Sequence, residues 1–185
     1  MRLSVMESLV RLPTPRTTPE GEVLLAAHPT FDDWYAMLYP SMVRLAFLLS
    51  GSFHVAEEIA QEAFLAAYRD WNKVSDYEQP DAWVRRVVVN KANSRLRRVY
   101  AEGRARFRWA GGRRVDFELP ETATAFWKEV RDLPKRQAQS LVLYYSEGYS
   151  TTEIAGTLGC AEATVRVHLH RGRLTLAERM GMESS

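Results

Sequence analysis

The segment from Ser150 to Leu176 leaves this chain few ways to fold. Ser150-Thr151-Thr152-Glu153 places a hydroxyl three residues before a carboxylate, the reciprocal pair that closes the first turn of a helix. Ile154, Ala155 and Leu158 follow as an apolar side, and Gly159 stands where a helix stops most cheaply in a left-handed residue. After a short turn, Val165, Leu169, Gly172 and Leu176 recur at helical spacing and predict a second helix over 162–179 with a buried stripe. Ala155, Gly159 and Val165 meet the three demands of a helix-turn-helix: a small residue where the helices approach, a glycine in the turn, and a branched residue packed beneath it. The outward side of the second helix then carries Arg166, His170 and Arg173, with Val167 and Arg171 beside them. Cations so spaced can reach base edges and phosphates in a DNA major groove. A plain helical hairpin with a charged outer face is the rival; the capping box, the three spacings and the basic face together weigh against it.

The chain before this segment is also helical in pattern. Residues 1–27 hold Pro13, Pro15, Pro19 and Gly21 and are expected to form a flexible tail. Phe31, Trp34, Leu38, Leu45, Leu48 and Leu49 fall at helical spacing, with Pro40 predicted to divide the stretch and Gly51-Ser52 to end it. A helix is predicted over 55–71, a loop over 72–80, and a third helix from Asp81 to about Ala101. Residues 102–120, with Gly103, Gly111, Gly112 and Pro120 among arginines, lack periodicity and read as a linker. Helical pattern resumes near Thr122 and runs to Leu133, and Pro134 opens another helix that ends before Gly148. No strand alternation, internal repeat or heptad is present. The expected fold is all-α: two small helical domains, 28–101 and 121–181, joined by a flexible basic linker, the C-terminal one containing the helix-turn-helix.

Charge narrows the partners. The formal net charge is only +2, yet 11 of the 25 Lys and Arg residues lie between Arg85 and Arg114, against one acid, Glu102. So dense a basic stripe attracts polyanions, nucleic acid first, although a solvated helix face and linker would also be charged. The single cysteine, Cys160, forbids an intramolecular disulfide and reads as a small hydrophobe. No run of about 20 apolar residues is present for a membrane span, and no signal peptide is evident, so a cytoplasmic protein without membrane insertion is expected. Neither a carboxylate pair nor a nucleophile–base pair accompanies the basic block, and no Cys/His cluster suggests zinc. An enzyme, a metal site and a cofactor are therefore not expected.

Two helices of the first domain have informative faces. On the helix over 55–71, Ala56, Ile59, Ala60, Ala63, Phe64, Ala67, Tyr68 and Trp71 share a broad apolar side. Opposite stand Glu58, Gln61, Glu62, Leu65 and Arg69, a polar face with an apolar residue in its middle, which suits protein docking or is simply solvated surface with one stray leucine. On the third helix Val84, Val88, Ala92, Leu96 and Val99 form the inner side, while Trp83, Arg86, Asn90 and Ser94 share another face. Trp beside Arg and Asn is a stacking and hydrogen-bonding surface for unpaired bases, unless Trp83 belongs to the core. Arg95, Arg97 and Arg98 extend the positive charge toward the linker.

In this order the pieces resemble the extracytoplasmic-function sigma factors of bacterial RNA polymerase, most of all a subgroup common in actinobacteria. The resemblance rests on Ala56-Glu57-Glu58-Ile59-Ala60-Gln61-Glu62-Ala63-Phe64, on Ala82-Trp83-Val84-Arg85-Arg86-Val87-Val88-Val89-Asn90, and on Leu133-Pro134 through Arg173. It implies that Glu58, Gln61, Glu62 and Leu65 dock on the clamp helices of the polymerase β′ subunit. Trp83, Arg86, Asn90 and Ser94 would open and read the −10 element, with the loop from Ser75 to Asp81 holding a flipped base. Arg166, Val167 and His170 would read −35 bases, Arg171 and Arg173 would lie near phosphates, and the second domain would also touch the β flap. The family leaves room for an anti-sigma partner. The chain departs from the family pattern at Ala161, where Ser commonly caps the recognition helix, and at Tyr144, where Arg is frequent. A conventional helix-turn-helix regulator, with 31–101 as a ligand-binding or dimerisation domain, would explain the second domain equally well, but not the docking face or the Trp/Arg/Asn face.

Overall fold

A computed structural model describes residues 30–101 and 121–181 of the 185. The tail over 1–27 and the linker over 102–120 lie outside the described residues. So do the side chains of 95–101, among them Leu96, Val99 and the three arginines expected to extend the basic face. Every regular element among the described residues is a helix.

Helix α1 spans Phe31–Ser50. Thr30 caps it, its hydroxyl accepting from the Asp33 backbone N–H at 3.2 Å, and Asp32 and Asp33 place negative charge in the first turn. Gly51 ends it in the left-handed region at φ 73°, its N–H donating to the Phe47 carbonyl. Pro40 does not divide this stretch, contrary to expectation: it sits inside one continuous helix. Proline forfeits one backbone hydrogen bond, but Trp34 and Leu38 before it and Met42, Val43, Leu45, Ala46, Leu48 and Leu49 after it are all buried. Continuity of that stripe outweighs the lost bond.

Helix α2 spans Phe53–Arg69, and a single turn, α3, spans Trp71–Val74, from the last residue of the expected helix into the stretch expected to be loop. Helix α4 spans Pro80–Ala101, starting on a proline whose missing N–H costs nothing at that position. Helices α1, α2 and α4 pack into one bundle. Its inner face is the apolar side read from α2, with one exception: Tyr68 is 62% exposed. At the open end Trp34 meets Phe64 and Trp71 at 5.3 and 4.9 Å between ring centroids, and Phe31 meets Tyr68 and Trp71. The Trp34 indole N–H donates to the Asp81 carboxylate at 2.7 Å, tying α1 to the first turn of α4.

The second bundle comprises α5 (Glu121–Arg131), α6 (Lys135–Tyr145), α7 (Thr151–Leu158) and α8 (Glu162–Arg179). The capping box is formed in both directions: the Glu153 N–H donates to the Ser150 hydroxyl, and the Ser150 N–H donates to the Glu153 carboxylate at 2.8 Å. The Ser150 hydroxyl also donates to the Glu153 carboxylate at 2.6 Å, and that bond first, then the Ser150 N–H, holds the carboxyl below the usual carboxylate range. Gly159 closes α7 at φ 65°, a conformation strained for any other residue type. On α8 the buried residues are Val165, Leu169, Gly172 and Leu176, the stripe expected from spacing. Gly172 is required by approach: a Cβ there would lie 2.8 Å from Leu141 Cδ1 of α6. Cys160 is half-buried against the core.

The two bundles touch. Helix α1 packs on α5 and α6, and α4 packs on α7. Arg131 at the end of α5 lies across Gly51, where a Cβ would stand 2.8 Å from its Nε, and burial pulls its guanidinium below the usual value.

Candidate nucleic-acid interface

Helix α8 turns its stripe inward, so the opposite face is fixed by period alone. Arg166, Val167, His170 and Arg171 are exposed, Val167 to 46%. His168, one residue off this face, is half-buried toward α6. Burial lowers its pKa first, and the nearby Arg136 and Arg171 cations lower it further. Arg173, expected near phosphates, is engaged within the protein. It is half-buried, its Nε donates to the Tyr145 hydroxyl at 2.9 Å, and its guanidinium lies 5.0 Å from the Tyr144 ring centroid. Tyr144, the departure from the family's arginine, is therefore the aromatic floor for an arginine arriving from α8.

The start of α8 has no side-chain cap and is tied down instead through its first residue. Ala161 occupies the N-cap and offers no side-chain bond. Glu162, the next residue, accepts from the hydroxyls of Thr151 at 2.7 Å and Thr152 at 3.1 Å, and pairs with Arg166 one turn on. These hydrogen bonds lower its carboxyl pKa, Thr151 first. Glu162 thus ties the first turn of α7 to the first turn of α8, where negative charge also complements the helix dipole. It also orients Arg166, whose side chain remains 70% exposed.

On α4, Val84, Val88 and Ala92 are buried as expected, and Val89 joins them. Arg86, Asn90 and Ser94 are exposed on one face, and the Ser94 hydroxyl donates to the Asn90 carbonyl at 3.2 Å. Trp83 is half-buried, packed on the core edge with its ring 6.5 Å from Tyr77 in the preceding loop. It is therefore both a core residue and a face residue. Arg86 is engaged: its Nη2 donates to the Gly156 carbonyl of α7 at 2.7 Å.

On α2, Gln61 and Glu62 are exposed and Leu65 is 48% exposed. Glu58 is half-buried and pairs with His54 at 3.4 Å, and Glu62 pairs with Lys91 of α4 at 2.8 Å. Tyr68, one turn beyond Leu65 and 62% exposed, adds apolar surface beside it. The spacing of three from Leu65 was the available signal; the aromatic side chain drew Tyr68 to the core side instead.

A helix-turn-helix with an exposed basic helix, packed against a second helical bundle, is the architecture of a DNA-binding protein. Known proteins agree. The Sigma-70 region 2 family model matches residues 34–101, and the Sigma-70, region 4 model matches residues 124–176. The ECF RNA polymerase sigma factor SigM of Mycobacterium tuberculosis is 32% identical over 163 residues, covering 85% of this chain and 83% of the relative. SigE of Mycolicibacterium smegmatis is 31% identical, covering 86% and 65%. Among solved structures, the sigma factor RpoE in complex with the anti-sigma factor NepR, from Bartonella quintana, superposes with a TM-score of 0.66 at 21% identity, covering 83% of this chain and 98% of the other. CnrH in complex with the cytosolic domain of CnrY gives 0.58 at 22% identity, covering 83% and 89%. The chain belongs to the extracytoplasmic-function RNA polymerase sigma factors. It is a promoter-recognising initiation factor that works with RNA polymerase and promoter DNA, and it is not an enzyme. No helix among the described residues is long and apolar enough to cross a membrane.

Proposed function

We propose that residues 28–101 dock on core polymerase and open the −10 element, that residues 121–181 read the −35 element as duplex, and that 102–120 tether the two. The factor acts in the cytoplasm, where its polymerase and promoters are. The observation that carries this division is the contrast between two exposed faces. The α8 face offers Arg166, His170 and Arg171 on a helix held rigidly by a buried stripe, as duplex reading requires. The α4 face offers an aromatic ring beside an amide and a guanidinium, as single-strand capture requires. Trp83, Arg86, Asn90 and Ser94 would hold unpaired bases, with the loop from Ser75 to Asp81 receiving one that is flipped.

Magnitudes limit what this face can do alone. Melting costs about 1.4 kcal/mol per base-pair step, and stacking a base on an aromatic returns roughly 1–3 kcal/mol. One tryptophan and its neighbours offset a few pairs, so the remainder falls to the polymerase. Run-off transcription is the test. Core polymerase with this chain is expected to start at defined sites on a promoter library, and core polymerase alone is not. Equal, scattered initiation in both reactions would refute the proposal.

Docking is assigned to Glu58, Gln61, Glu62 and Leu65, joined by Tyr68, on the polymerase clamp helices, while the second domain touches the flap. An exposed leucine and tyrosine beside carboxylates form an apolar patch on a polar rim, the kind of surface that docks on a protein. Reversing both Glu58 and Glu62 to Lys is expected to weaken association with core polymerase by roughly tenfold or more. Unchanged co-purification at moderate salt would remove the assignment.

A further inference from the structure

Two polar places are buried where the bundles meet, and only one is complete. At the first, the Glu147 carboxylate, in the turn between α6 and α7, pairs with Arg85 Nε of α4 at 3.3 Å and with Arg44 Nη2 of α1 at 3.7 Å. The Ser146 hydroxyl donates to it as well, so this carboxylate has its partners. The second place is a cavity of about 360 Å³ walled by α1, α4, the end of α5, and α6. Leu48 and Leu49 of α1, Leu133 of the α5–α6 turn and Val142 of α6 make much of its lining apolar.

Two polar groups of that lining lack a counterpart. Gln139 is 2% exposed, and its Nε2 has no hydrogen-bond partner. Its Oε1 already accepts from Arg136 Nη1 at 3.5 Å, so the atom left over is a donor. Arg131 is the other: its guanidinium is half-buried, and no carboxylate among the described residues forms an ion pair with it. Burial pulls its pKa down, and the adjacent Asp132 carboxylate acts in the opposite direction with less effect. A buried donor without an acceptor and a sheltered cation without an anion both cost free energy. Water can fill a polar cavity, but it needs several polar partners, and the leucine walls offer it none.

We propose that this cavity is a binding site for a small monocarboxylate with an apolar body, its carboxylate held by Arg131 and the Gln139 amide and its body laid against Leu48, Leu49, Leu133 and Val142. A guanidinium and an amide N–H are the donors that recognise a carboxylate. A cavity of this volume, apolar over much of its wall with a few polar groups, has the form of a small-molecule site. The remaining charges on the lining, Asp132 and Lys135, cancel, so Arg131 sets the sign of the ligand. An amine would meet Arg131 with like charge, and a dicarboxylate would press its second charge against leucine. None of these residues is assigned above to polymerase or promoter DNA, so the site stands apart from that function.

Nitrogen–proton correlation spectra of the full chain, titrated without polymerase or DNA, test this; both bundles supply walls, so the whole chain is used. The probes are octanoate and phenylbutyrate, below their micelle concentrations, with octanol and octylamine as controls. At least one carboxylate is expected to bind saturably and to shift the Gln139 side-chain amide, a resonance identified by its loss in Gln139→Met. Which of the two binds more tightly tells whether the body accepted is aliphatic or aromatic. Octanol, which lacks the charge, is expected to bind about tenfold or more weakly, and octylamine not to saturate. Arg131→Gln is expected to weaken carboxylate binding by about tenfold or more. Gln139→Met keeps the length of the side chain, loses the donor and is expected to weaken binding by a smaller factor. Ala138→Phe, which fills the cavity, is expected to abolish it; circular dichroism checks helix content, and the other two variants decide if this one unfolds. Failure of both carboxylates to saturate the parent would overturn the site. So would octanol binding as tightly as octanoate, or carboxylate binding unchanged in both Arg131→Gln and Gln139→Met.

Discussion

Trp34→Ala is expected to destabilise the first domain by about 3–5 kcal/mol, the range for removing a buried aromatic. Trp34 is 2% exposed and touches the rings of Phe31, Phe64 and Trp71, so truncation empties the junction of α1, α2 and α3. Its indole N–H also holds the Asp81 carboxylate in the first turn of α4. A loss of this size approaches the whole stability of a small domain, about 5–15 kcal/mol. Trp34→Phe separates the two contributions: it keeps most of the ring and loses the hydrogen bond, at an expected cost of about 1–3 kcal/mol. Urea unfolding with the tryptophan emission of the first domain measures both. A Trp34→Ala midpoint within error of the parent would show that the junction closes over the gap. Because Asp81 borders the loop from Ser75, Trp34→Phe should also impair promoter opening more than polymerase binding.

Arg166→Ala is expected to lose roughly 1–3 kcal/mol of discrimination at one −35 base pair, about 5- to 150-fold between the preferred and the other bases. Arg166→Lys should recover the phosphate attraction but little of the discrimination, because a point charge lacks the two-pronged donor geometry. The measurement is initiation from −35 variants by polymerase carrying each form, at fixed salt because phosphate contacts are salt-dependent. Uniform weakening across all variants would make Arg166 a phosphate contact and move base reading to Val167 and His170.

Much of this molecule was legible in its sequence, and the exceptions share a cause. The bounds of α7 and α8, the αL glycine between them and the buried stripe follow from local rules: caps, φ preferences and period. Pro40 defeated such a rule because the cost of a proline is local, whereas the stripe that holds α1 together spans the whole bundle. Tyr68 was drawn inward by its apolar ring, yet an aromatic can meet Phe31 edge-on and still face water. Arg173 carried charge in the right register, but Tyr144 and Tyr145, which occupy it, stand on another helix. Glu147 gave no signal at all: an acid in a turn is ordinary until two arginines from α1 and α4 close around it. Periodicity reports which face of a helix is apolar, not which distant side chain will arrive there.

The Glu162 corner bears on how such a factor can change allegiance. A single carboxylate fastens the opening turns of both helices of the DNA-binding pair and steers Arg166 as well. On the assignment proposed above, altering Arg166 therefore disturbs this corner along with base reading. Val167 and His170 stand outside that corner, exposed on the same helix. Substitutions at Val167 and His170 are expected to leave that corner intact, whereas substitutions at Glu162 or Arg166 disturb it.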